Sequence, residues 1–127
     1  ISYLSRRLSM STLTISNLND GTTTVPTTFV TNGSAKAWFN YNHQTPAIQD
    51  SVNISSISDD GSGLFTNTFV TSMSNAFWAA GAICRNNRHQ WNDDTGAATG
   101  RQWRAANSGN TATDSLDFTA SIHGDLA

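Results

Sequence analysis

Large apolar side chains recur at every second position in this chain, in bursts too short for buried helices. Ala35, Ala37, Phe39 and Tyr41 alternate with Lys36, Trp38, Asn40 and Asn42. Near the end Leu116, Phe118, Ala120 and Ile122 alternate with Asp117, Thr119, Ser121 and His123. A period of two gives an extended chain one apolar and one polar face, so each burst predicts a strand that buries one side. Turn-forming clusters separate the bursts: Asn17-Leu18-Asn19-Asp20-Gly21, Asn32-Gly33 and Asp59-Asp60-Gly61-Ser62-Gly63. Six to eight short strands with such punctuation, and no helix of any length, predict an all-β fold, an antiparallel β-sandwich of jelly-roll-like form.

Composition agrees with that class and narrows the partners. Ser (16), Thr (17) and Asn (13) dominate the polar positions, while Glu is absent and Lys36 is the sole lysine. The favoured helix-surface residues are therefore missing, and those that suit strands and turns abound. At 127 residues the chain fits one domain. A net charge of −2 argues against nucleic-acid binding, which needs a basic field. The longest apolar run, Ala76–Cys84, is broken by Gly81 and is far below the ~18 residues of a spanning helix, so no membrane insertion is expected. A single cysteine, Cys84, allows no internal disulfide.

Along the chain, residues 1–9 read as a leader or remnant, with Met10 as the natural start and no secretory signal. Residues 10–28 read as an extended N-terminal segment: Leu13 and Ile15 alternate with threonines and serine, and Pro26 confines Thr22–Thr28 to an edge or linker. Residues 29–127 read as the head, with Phe29 and Val30 opening the packed domain. Within it Ile48–Ser56 is expected as one strand. Phe65, Asn67 and Phe69 should share a face of a central strand on which Asn67 needs a hydrogen-bond partner. Ala76–Cys84, small and apolar on both faces, is expected to be the most buried strand. Residues 85–101 lack periodicity and read as a long loop or loosely paired hairpin, Gln102–Ala106 as a strand and Asn107–Asp114 as a polar turn.

Four segments together resemble a family of small bacteriophage fibre proteins, met in marine phages. They are Ser11–Leu18 (STLTISNL), Val25–Tyr41 (VPTTFVTNGSAKAWFNY), Ile48–Phe69 (IQDSVNISSISDDGSGLFTNTF) and Asp117–Asp125 (DFTASIHGD). The Ala35–Trp38 block and the Ile54–Phe69 hairpin are the most specific parts, and residues 85–114 lie outside the resemblance. Asn67, between Phe65 and Phe69, and His123 depart from it, standing where apolar residues are usual. The resemblance implies a virion location and a tail-fibre or spike component, a homotrimer in contact with other virion proteins. Its β-sandwich head would follow an N-terminal strand used for attachment or interchain pairing. Alternative readings are a capsid fibre or decoration protein and a secreted lectin-like carbohydrate-binding module.

Site chemistry is sparse. Cys84 and the histidines His43, His89 and His123 are far apart in sequence, and no nucleophile elbow occurs, so the chain reads as noncatalytic, with no cofactor and no metal site. Asp59–Gly63 lacks the alternating acidic ligands of a calcium loop and reads as a turn. The histidines read as solvent-facing, the alternative being one repeated around a trimer axis as a metal ligand. The best binding candidate is Arg85, Arg88, His89, Trp91, Asp93, Asp94, Arg101 and Trp103, because indole faces cover sugar rings while arginines and aspartates hydrogen-bond hydroxyls or anionic groups. This set would read a host-surface glycan or receptor. The competing reading puts Trp103 in the core, packs Trp91 under its loop and pairs the charges with one another or across subunits. Trp38 and Trp78 read as core or subunit-contact residues.

Overall fold

The computed structural model describes residues 12–85 and 96–127, and the backbone of 89–92. In chain order the elements are β1 (Asn17–Asn19), β2 (Thr24–Pro26), α1 (Thr27–Gly33), β3 (Ala37–Asn42), β4 (Ala47–Val52), β5 (Ile54–Gly61), β6 (Leu64–Phe69), β7 (Ala79–Cys84), β8 (His89–Asn92), β9 (Gly100–Ala106) and β10 (Phe118–His123). Two four-stranded sheets, ordered β4-β3-β10-β7 and β5-β6-β9-β8, are antiparallel throughout, and β1 pairs only with β2. The expected all-β sandwich is the architecture found.

The alternating bursts supply the core. Ala37, Phe39 and Tyr41 from β3 and Phe118, Ala120 and Ile122 from β10 meet Phe65 and Phe69 from β6 and Trp103 and Ala105 from β9. Phe65 stands edge-on to Phe39 (6.0 Å) and to Phe118 (4.8 Å), and Trp103 edge-on to Phe118 (5.6 Å), so aromatic rings bridge the two sheets. β6 lies between β5 and β9, as its two partly apolar faces predict. The partner Asn67 requires is Trp103, whose indole N–H donates to Asn67 Oδ1 at 2.7 Å. Gly100 faces this position so closely that a Cβ would overlap the Asn67 carbonyl.

Four local expectations are corrected. Thr27–Gly33 is helical: Pro26 ends β2 with no donor to offer, and the Lys36 ammonium caps the last turn on the Thr31 and Ser34 carbonyls. Phe29 and Val30 do not open the core, since Phe29 is 71% exposed and the first buried side chain is Ala37. The run Ile48–Ser56 is two strands in different sheets, because Asn53 adopts a positive φ (57°) and turns the chain between them. Its side chain substitutes for a ladder rung, accepting from Thr71 N (2.7 Å) and donating to Thr71 O (3.0 Å).

The fourth concerns Ala76–Cys84, which is an edge strand and not the most buried one. Register with β10 sets Ala80, Ala82 and Cys84 opposite Ile122, Ala120 and Phe118, so the inward positions carry only small groups and the core thins there. On the other face Ile83 is 70% exposed, and Phe77 just before the strand is 93% exposed. Within residues 85–101 the paired alternative is found, with β8 antiparallel to β9.

Candidate functional site

Of the residues singled out from sequence, those whose side chains are described, Arg85, Arg101 and Trp103, do not converge. Arg85 follows β7 and pairs with Asp117, Nη1 to Oδ2 at 3.3 Å. Arg101 lies at the start of β9 with its guanidinium 4.0 Å above the Trp78 ring. Trp78 precedes β7 and Arg85 follows it, a separation of roughly 20 Å along an extended chain. The two arginines therefore serve opposite ends of the head. Trp103 is buried at 3% exposure and offers no face to a sugar, in line with its alternative as a core residue. His89 and Trp91 stand at backbone positions opposite Ala106 and Arg104. Arg88, Asp93 and Asp94 lie outside the described residues.

A different group does converge, at the end of the sandwich where β3 leaves the core. His43 continues the inward parity of Ala37, Phe39 and Tyr41 and is 1% exposed, contrary to its expected solvent-facing position. Its Nε2 is 3.1 Å from Asp59 Oδ1, and its Nδ1 is 3.4 Å from Asp114 Oδ1, the latter outside hydrogen-bond geometry. Asp114 Oδ1 also accepts from Gly63 N at 2.6 Å, and His43 N donates to Ser115 O at 3.0 Å. Gly63 has φ +68°, and a Cβ there would collide with the backbone of Ala105 and Thr113. His43 thus ties the end of β3 in the first sheet to β5 of the second through its imidazole, and to the segment before β10 through its backbone N–H. The signal was present in sequence, since two more steps from Tyr41 in a period-two pattern reach His43 on the core side.

Electrostatics at this end are set by the three carboxylates. The hydrogen bond from His43, then that from Gly61 N, holds Asp59 below the usual carboxylate range. For Asp60, burial works to raise the carboxyl, and hydrogen bonds from Thr66, Gln102 and Ser58 together outweigh it, leaving the group lowered. The Tyr41 phenol is pushed up by burial and by Asp59, Asp114 and Asp60, and its hydroxyl is buried without a hydrogen-bond partner. Among the described residues no three His, Cys or Asp side chains converge as a metal site.

Outside the sandwich, residues 12–35 contain no buried side chain. Leu18 and Val25 on the β1–β2 hairpin and Phe29 and Val30 on α1 are exposed. Asp20 organises the hairpin tip: the N–H groups of Thr23 and Thr22 donate to its carboxylate and lower its pKa. The chain matches no known protein family, no curated protein and no solved structure.

Proposed function

We propose that this protein is a noncatalytic component of a bacteriophage fibre or spike, a homotrimer whose sandwich head contributes to host-surface attachment. The observation that carries this reading is the division of the described chain into a head closed by an aromatic core and an N-terminal stretch, residues 12–35, in which no side chain is buried. A two-stranded hairpin of three-residue strands and a seven-residue helix are each unstable alone in water. A segment of that kind makes sense in a chain that assembles, where neighbours cover it. The low-charge Ser/Thr/Asn surface and the likeness of four segments to small phage fibre proteins support the same reading.

Receptor contact belongs to the head's projecting segments, on a scaffold rigid enough to present them. Arg88 and Trp91 are the residues to test, since Trp103 is core and Arg85 and Arg101 are engaged with Asp117 and Trp78. Antibody raised against the protein should decorate fibres on virions of a phage encoding it, and the purified protein should compete with those virions for host cells. Arg88→Ala and Trp91→Ala should weaken that competition without changing the assembled mass. Virions that lack the protein would refute the reading.

A further inference from the structure

Among the apolar surfaces left open on the described residues, two bear on assembly. One is the N-terminal segment, where Leu13 is 80% and Phe29 71% exposed and Val30 is exposed beside them. The other is the outer face of the β4-β3-β10-β7 sheet. Register sets Val52, Trp38, Ser121 and Gly81 in one row across all four strands, with Thr119 beside Ile83 in the next. Trp38, Gly81, Ile83, Thr119 and Ser121 line a shallow depression there. Contiguous uncovered apolar surface of this kind marks a contact with another molecule.

The same sequence supplies the occupant. Between residues 12 and 35 the only charged side chain is Asp20, at the hairpin tip, and the row through Trp38 carries no charge; in the next row the one charge is the exposed Asp50 on the edge strand β4, at the far end from Ile83, so a segment laid over Trp38 and Ile83 would bury no unpaired ion. The segment joins the head at Lys36, whose N–H donates to Ile122 O, one residue before β3 and two before Trp38. It is therefore delivered at the border of this sheet, yet its own apolar side chains stay open, which leaves them for the adjacent copy.

We infer that the N-terminal segment of one copy lies on the outer β4-β3-β10-β7 face of the next. This is a head-to-tail contact, and such contacts close into a ring when the rotation permits. Closure at three copies rests on the trimer of the proposed fibre.

Full-length chains carrying Phe29→Asp or Ile83→Asp test the contact, because both positions are exposed and neither substitution touches the core. Val70→Asp, exposed elsewhere, is the control. In sedimentation, Phe29→Asp and Ile83→Asp should each fall to the mass of one chain while Val70→Asp keeps the wild-type mass. A concentrated equal mixture of the two monomeric variants should form a species of two chains and stop there. The intact segment of one can use the intact face of the other, and each remaining surface is spoiled. If either variant keeps the assembled mass, or the mixture stays at one chain, the contact is wrong while the fibre reading stands. A wild-type chain that sediments singly would overturn both the contact and the trimer.

Discussion

At the scale of single residues, three buried polar groups set the behaviour of the core. Trp103 and Asn67 share one hydrogen bond in an apolar interior, and Asn67 Nδ2 has no partner. Trp103→Phe strands the Asn67 carbonyl and should cost about 2 kcal/mol in denaturant unfolding. Adding Asn67→Leu removes the stranded group, so the double variant should be destabilised by less than the two single changes summed, which is the coupling a double-mutant cycle isolates. Tyr41 behaves differently because its hydroxyl is already unpaired. Its folded pKa is raised, so the folded state holds the phenolic proton where the unfolded chain has lost it, and stability falls as pH rises above the ordinary value of 10.0. Tyr41→Phe should remove that alkaline loss in thermal melts between pH 9 and 11 (roughly the window around an ordinary tyrosine pKa), and should not destabilise the fold at pH 7. A lone histidine carries no sequence signal of its own, which is why a solvent-facing His43 is the expectation from sequence. Its parity with Tyr41 was the better guide.

At the scale of elements, the corner at Asn53 decides how one apolar run serves two sheets. Asn53→Ala loses both hydrogen bonds to Thr71 and strains a left-handed backbone, and should cost about 2 kcal/mol. Asn53→Gly relieves the strain alone, so it should recover part of that loss in the same unfolding experiment. The corner was invisible in the alternation, since Val52 and Ile54 keep a regular period across it; only the φ-tolerant Asn between them hints at a bend. By contrast β3, β6 and β10 were fully legible, because each carries large side chains on one face and polar ones on the other. β7 misled for the opposite reason: Ala, Gly and Cys on both faces fit an edge as well as a centre. Helix α1 was hidden by threonines, whose propensity points to strands, and exists through local contacts such as the Lys36 cap and the Thr31 hydroxyl on the Thr27 carbonyl. The candidate site was the least legible part, since among its described side chains Arg85, Arg101 and Trp103 are divided by the sandwich between its ends and its core.

At the scale of the whole molecule, the head is a closed structure held on its acid side by carboxylates and the N-terminal segment is open. Asp59 and Asp60 are held below the usual carboxylate range, Asp59 by hydrogen bonds from His43 and Gly61 N and Asp60 by bonds from Thr66, Gln102 and Ser58 that outweigh its burial, so their contribution is present above the ordinary carboxylate range and is lost as pH falls through it and below. The melting temperature should therefore drop as pH falls below about 4, and Asp60→Asn should blunt that drop. The inferred contact would add a second dependence, on concentration, because apolar surface buried against a neighbouring copy gains stability by mass action.

Backbone hydrogen exchange followed by mass spectrometry, across a dilution series of the full chain, tests the two together. Amides of β3, β6 and β10 should exchange slowly at every concentration, and amides between Asn17 and Gly33 should be protected when concentrated and lose that protection on dilution. Amides of that segment exchanging as fast as an unfolded chain, however concentrated the protein, would contradict the division into a closed head and a segment covered by neighbouring copies.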